Sequence, residues 1–330
     1  MKVKCNGCGK KYHVDDAKIP EGRRLEIPCP GCKTLIPVMK QATAPSQLPT
    51  RGQDLLDKIV NESKALPPMP EVMGRAREVM GDEKCGFNEI GAVIETDQAL
   101  ATRVLKIANS SYYALSVPVS TVKQAAAIMG CQAISDLITV VSTSKMLGKN
   151  LAGYNLTSRQ IWEHSLACAY ASRMIAEMKA PTLANDAFNA GLIHDSGLLM
   201  LDPFIGLLKQ TFKKAMALSG TTFCDVEMKL FGFTHAQVAG LFFEKWKLPK
   251  IQTDAIGLHH TPKESDNPLA HIIHAGDAVA MRCMASSSPI VSQTIIHPET
   301  LSILSLTEKE LEEVGTKAAQ AVESVTLSLA

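Results

Sequence analysis

From residue 54 onward, apolar side chains recur at intervals of three and four, the spacing of one face of an α-helix. Val93, Ile94, Leu100, Val104, Leu105 and Ala108 follow this spacing, and so do Ile161, His164, Ser165, Cys168, Ala171 and Ile175. Alternation with a period of two, the mark of a half-buried strand, is scarce there. Thr307-Glu308-Lys309-Glu310 has the form of a capping box and opens a predicted amphipathic helix through Leu311, Val314, Ala318, Ala321 and Val325. Prolines at 67, 68 and 70 mark an entry turn, and those at 181, 249, 262 and 268 punctuate later helices. No internal repeat of about 20–50 residues is visible. The pattern predicts an all-α body over residues 54–330, in two contiguous halves, 54–150 and 151–330, which meet near residues 148–157.

The first forty residues read differently. Cys5-Asn6-Gly7-Cys8 and Cys29-Pro30-Gly31-Cys32 form two CxxC motifs twenty residues apart. Each turn aims two thiolates at one point, with Gly7 and Gly31 expected to permit the tight turn. Four sulfurs complete a tetrahedral zinc site with no open position, so the predicted role of Cys5, Cys8, Cys29 and Cys32 is structural. A segment this short needs such a staple, because it cannot build a sufficient core. His13 reads as a strand residue, since four cysteines already satisfy the ion. Residues 41–53, poor in large apolar side chains and carrying two prolines, read as a linker.

Composition narrows the class. With 46% hydrophobic and 20% charged residues in 330, the chain is neither disordered nor fibrous. The net charge of +1 gives no whole-molecule case for nucleic acid. The charge is uneven, however: residues 1–40 carry nine Lys/Arg against four Asp/Glu. Nucleic acid or an acidic protein is therefore a partner to consider for the ribbon alone. No apolar run approaches the ~20 residues of a membrane helix, and the N-terminus lacks a signal-peptide stretch. A cytoplasmic protein without a membrane partner is expected. Nine cysteines, four of them in the first 32 residues, suit metal binding in a reducing compartment. Cys85, Cys131, Cys168, Cys224 and Cys283 lack ligand spacing and are expected to pack as small apolar residues.

The second half of the body carries polar residues on apolar stripes. His164 lies in line with Cys168, Ala171 and Ile175. Asp195, after His194, shares a stripe with Phe188, Gly191, Leu192 and Leu199. Asp277 lies four residues after Ile273 and four before Met281. His235 opens a helix, and His259-His260 close the one that starts near Pro249. A carboxylate on an apolar stripe is costly unless it is paired or bound to a metal. Imidazole and carboxylate together suit Fe, Mn, Zn or Ni, and two such sets can hold one or two ions.

The order His164, His194-Asp195, Asp277 resembles the metal-binding signature of the HD phosphohydrolase superfamily. His235, His259 and His260 resemble the additional ligands of its two-metal HD-GYP branch, which cleaves cyclic di-GMP. The flanking residues Trp162-Glu163-His164-Ser165, Ala187 to Gly197, and Trp246-Lys247-Leu248-Pro249 resemble the HDOD (HD-related output domain) family. So do Leu66-Pro67-Pro68-Met69-Pro70, Ile94 to Leu100, and Asn109-Ser110-Ser111-Tyr112-Tyr113. The resemblance spans about residues 54–281. The first forty residues resemble the zinc-ribbon modules of bacterial regulatory proteins.

Departures bear on the chemistry. Ser196-Gly197-Leu198 replaces the Ile-Gly-Lys of the HD-GYP enzymes, Thr261 replaces a glutamate, Gln160 replaces another, and there is no Gly-Tyr-Pro triplet. The resemblance therefore implies a non-catalytic output or scaffold module of bacterial signal transduction, with signalling proteins as partners and the HD-like cluster retained. The alternative it leaves is a two-metal phosphohydrolase acting on a cyclic dinucleotide or another nucleotide, with Asp195 as the catalytic candidate.

Overall fold

The computed structural model describes residues 2–13, 24–39, 52–62, 79, 86–283 and 295–329. Cys85 and the Leu66–Pro70 motif lie outside these. The chain divides into two compact units, Met1–Arg51 and Gly52–Ala330.

The first unit is two antiparallel hairpins. Strand β1 (Lys2–Lys4) pairs with β2 (Lys11–His13), and β3 (Arg24–Pro28) pairs with β4 (Leu35–Met39), with Ile27 opposite Ile36. Each hairpin turn is a cysteine knuckle in which an amide N–H, that of Gly7 or Gly31, points at the first sulfur from 3.3 and 3.4 Å. The expected role of those glycines in the turn is corrected. The left-handed residues are the ones just after each second cysteine, Gly9 (φ 72°) and Lys33 (φ 60°). Gly31 instead makes room, since a Cβ there would lie 2.8 Å from the Tyr12 hydroxyl.

The helical unit begins earlier than the linker composition suggests. The Gly52 N–H donates to the Phe231 carbonyl (3.0 Å), and α1 (Gln53–Glu62) buries Leu55, Leu56, Ile59 and Val60. Next come α2 (Phe87–Glu95), α3 (Gln98–Ala108), α4 (Val122–Met129) and α5 (Cys131–Leu147). Asp97 and Thr121 cap α3 and α4 by accepting the N–H of Leu100 and Gln124. Asn109 ends α3 as its chemistry suggests: its side-chain amide exchanges two 2.8 Å hydrogen bonds with the backbone of Val119, closing the loop.

The second half is built around α6 (Ser158–Lys179), a helix buried on nearly every face. It packs against α7 (Ala184–Ile193) and α13 (Pro268–Cys283). Small residues permit this close sandwich, with Gly191 against the Ala169 backbone and Gly276 against Ser172. The remaining helices are α8 (Gly197–Leu207), α9 (Lys209–Met216), α10 (Phe223–Phe231), α11 (His235–Lys245), α12 (Lys250–Leu258), α14 (Pro298–Ile303) and α15 (Glu308–Leu329). The Thr307/Glu310 capping box is formed, and the predicted stripe of α15 is buried. No single helix among the described residues is long and apolar enough to cross a membrane.

One continuous apolar core runs through both halves. Within it Asp136 of α5, 3% exposed, pairs with Arg173 of α6 at 2.7 Å. Arg173 also lies 4.0 Å over the Phe188 ring. Among the described residues no other carboxylate forms an ion pair with the guanidinium, so Asp136→Ala leaves a buried charge without its partner. The expected loss is about 3–5 kcal/mol, read from the midpoint of urea unfolding.

Candidate metal centre

The predicted cluster residues arrive from separate elements. His164 projects from α6 and Asp277 from α13. His235 is the first residue of α11, and His259 and His260 follow α12. His194 and Asp195 lie in a 3-10 turn, His194–Ser196, between α7 and α8. The continuous helical stripe expected through Phe188, Asp195 and Leu199 is thus broken. The break is at Ile193, whose backbone (φ −116°, ψ 3°) leaves the α-helical region and re-aims the two residues after it.

Asp195 is the hub. Its Oδ1 lies 3.2 Å from His235 Nε2, 3.3 Å from His194 Nε2 and 3.6 Å from His259 Nε2. Its Oδ2 lies 3.4 Å from His164 Nε2, which is also 3.1 Å from Asp277 Oδ1. His260 Nε2 lies 3.0 Å from His235 Nε2. Asp195, His235, His259 and His260 offer donor atoms all within 4.8 Å of one another, as do His164, His194 and Asp195. Two donor sets therefore share Asp195, with Asp277 beside the second.

The rings are aimed by the backbone. His194 Nδ1 donates to the Gly191 carbonyl (2.8 Å) and His259 Nδ1 to that of Ile256 (2.7 Å). These bonds leave the Nε2 lone pairs facing inward. His194 Nε2, His259 Nε2, Asp195 Oδ1 and Asp277 Oδ2 are all buried without a hydrogen-bond partner. Orphaned acceptors at this density are costly, and a cation among them answers every one. The donor set thus fits one or two metal ions of the Fe, Mn, Zn or Ni type.

Electrostatics agree. Burial disfavours charge on His164, yet Asp195 and Asp277 hold its pKa up at about 9. His235 is likewise held up at about 10, against burial, by Glu227 and Asp195. Burial disfavours charge on Asp195 and Asp277 too, but the histidines beside them hold both well below the usual carboxylate range. The carboxylates that favour positive charge on these rings would equally favour a metal cation among them.

The centre opens onto a cavity of about 600 Å³, whose wall includes Thr222, Asp225, Gln237, Thr261, Glu264 and His297. No Lys or Arg lines it among the described residues. Two contributors escaped the sequence reading. Glu227, fully buried on α10, lies 2.8 Å from His235 Nδ1. His274 donates to the His259 carbonyl (2.8 Å) and accepts the His297 N–H (3.1 Å), joining the His259 turn to the cavity wall. Both sit on apolar stripes, the criterion that singled out Asp195 and Asp277.

In the ribbon, Cys5, Cys8, Cys29 and Cys32 place their sulfurs within 4.8 Å of one another. The Tyr12 hydroxyl lies 3.3 Å from Cys29 Sγ. Burial pushes the Cys29 thiol up, but Tyr12 and the amides of Cys32 and Gly31 outweigh it and bring the pKa down to about 6. Cys29 thereby favours its thiolate, and four sulfurs gathered at one point suit zinc. Cys168 is buried and Cys131, Cys224 and Cys283 are partly buried, all unpaired.

Comparison with known proteins places this architecture. The HDOD domain pattern matches residues 66–262, and a zinc-ribbon domain pattern matches residues 1–37. An HDOD domain protein of unknown function from Geobacter sulfurreducens has a similar structure (TM-score 0.67, 23% identity, covering 82% of this chain and 97% of that one). So does a protein from Shewanella amazonensis described as a candidate phosphohydrolase (TM-score 0.66, 21% identity, covering 83% and 98%). These are likenesses of fold. An uncharacterized protein from Treponema pallidum (strain Nichols) is 22% identical over 217 residues, which make up 65% of this chain. The match spans 41% of that relative's length.

Proposed function

This chain belongs to the HDOD family, and we propose that its helical body is a signal-transduction module; from the geometry of its His/Asp cluster, not from the family, we infer that it holds a pair of metal ions and hydrolyses a phosphate ester. The observation that carries this reading is Asp195, shared by two donor sets that open onto one cavity. His164, His194 and Asp277 would hold one ion, and His235, His259 and His260 the other. When bound, such ions bring the pKa of water toward neutrality and offset phosphate charge. The chain's own part is to fix the ring tautomers through the Gly191 and Ile256 carbonyls and to wall the site with α6, α11 and α13. With no Lys or Arg in the described wall, the cavity suits an ester bearing few phosphates, a nucleotide or cyclic dinucleotide among them. The intended partners of the module are signalling proteins, with the ribbon as a second contact surface.

A second reading is a metal-dependent ligand-binding regulator that does not turn its ligand over. The absence of Lys and Arg among the described wall residues and Ser196-Gly197-Leu198 in place of a lysine favour it.

Full-length protein purified without chelator decides between the readings by elemental analysis and by turnover of bis(4-nitrophenyl) phosphate and cyclic dinucleotides. The expected content is about three metal equivalents, one in the ribbon and two in the body. Turnover is expected and should vanish in His194→Ala. Full metal loading with no turnover would leave the ligand-binding reading. Ribbon zinc alone would remove both.

A further inference from the structure

Glu227 makes no contact with the open face of the cluster, yet it is fully buried and bonded on both oxygens. Its Oε1 accepts the Tyr154 hydroxyl at 2.7 Å. Its Oε2 accepts the backbone N–H of His235 at 2.7 Å and faces His235 Nδ1 at 2.8 Å. Three donors thus converge on a group that can only accept. The backbone makes this possible. Gly232, left-handed at φ 88°, ends α10 and turns the chain so that α11 begins against it. His235 is the first residue of α11, so its N–H is one of the orphan donors at the positive end of the helix. The carboxylate is therefore held by a helix start and a phenol, with no Lys or Arg paired to it among the described residues.

We propose that Glu227 is a positioning residue that, through His235, sets the affinity of the Asp195/His235/His259/His260 donor set for its metal. The inference rests on the metal-centre reading above. A carboxylate on Nδ1 fixes the tautomer that leaves Nε2 free for the ion and makes that nitrogen a stronger donor. The other rings of known orientation, His194 and His259, have only backbone carbonyls behind them. His235 alone among these three is backed by a charged acceptor, which makes the two donor sets unequal. Tyr154, in the segment between the halves, fixes the Glu227 rotamer from the far side.

The test is Co²⁺ binding to the full-length protein with its ribbon zinc in place, by chelator competition and by visible absorption. Glu227→Gln keeps the shape: the amide oxygen can still accept from His235 while the amide nitrogen donates to Tyr154. In this variant one Co²⁺ step is expected to weaken about 10–100-fold with an altered absorption band, while the other step is unchanged. His164→Ala should weaken the opposite step. Tyr154→Phe should produce a smaller shift on the same step as Glu227→Gln.

Two unchanged steps in Glu227→Gln would overturn the inference while leaving the metal centre standing. Equal weakening of both steps would also overturn it, since that is what general loosening of the fold produces. Wild-type protein that binds no Co²⁺ in the body would remove the metal-centre reading itself, and the inference with it.

Discussion

Asp195→Asn is expected to lower the metal content of the full-length protein from about three equivalents to about one, the ribbon zinc, and to abolish any hydrolysis. Asp195 is the residue common to the two donor sets, and three histidine nitrogens lie within 3.6 Å of its Oδ1. Asparagine preserves the side-chain volume, so the surrounding helices have no cavity to collapse into. What is lost is the negative charge and one acceptor oxygen, the properties a shared metal ligand needs. Substitution of a residue belonging to a single set, such as His164→Ala, should instead cost about one equivalent. Far-ultraviolet circular dichroism of Asp195→Asn should match the parent, which separates loss of metal from loss of fold. Two retained body ions in Asp195→Asn would show that the carboxylate is not the bridge its geometry suggests.

Gly197→Ala is expected to lower stability and metal affinity together, although it adds a single methyl group. An ideal Cβ at Gly197 would lie 2.0 Å from the His235 carbonyl oxygen and 2.8 Å from its carbonyl carbon. Both contacts are with backbone, so no rotamer change relieves them. Either α8 or the start of α11 must move, and the start of α11 carries His235. Overpacking of this kind costs about 1–3 kcal/mol, and a backbone clash belongs at the upper end. The thermal midpoint should fall, and the affinity for the His235-side ion should fall with it. Gly206→Ala, where a Cβ meets nothing within 4 Å, is the matched control on the same helix. A variant at 197 with parental stability and metal affinity would show that α8 and α11 are not held at this spacing.

Much of this was legible before any coordinates. The helical body, the capping box at Thr307, the burial of the α6 stripe and the gathering of the ribbon cysteines all follow from local patterns. Period, cap and CxxC spacing are properties of a few consecutive residues. Polar residues on apolar stripes also pointed to the centre, because a buried carboxylate advertises its own need for a partner. Glu227 met that criterion as well, lying four residues from both Phe223 and Phe231 on α10. It belongs to no family motif quoted above.

Other features were invisible for a definite reason. The 3-10 turn at His194–Ser196 lies where α8 meets α11, with Gly197 against the His235 backbone, and nothing in His-Asp-Ser-Gly demands it alone. The Asp136–Arg173 pair joins residues 37 positions apart, and the Tyr154–Glu227 bond joins residues 73 apart. Contacts at that separation depend on how helices cross, which side-chain periodicity does not encode.

The sequence by itself determined that the body is helical, which four sulfurs meet, and which polar residues had to find partners in an apolar interior. Local propensity and the cost of burying charge suffice for those. The tertiary structure alone decided that Asp195 stands between two donor sets and that His235 has a carboxylate behind it. It also decided that His164, Asp195, His235, His260 and Asp277 line one cavity, with no Lys or Arg among its described wall residues. Each of these depends on ångström-scale distances between elements remote in the chain, and such distances are set by close packing of the helices as a whole.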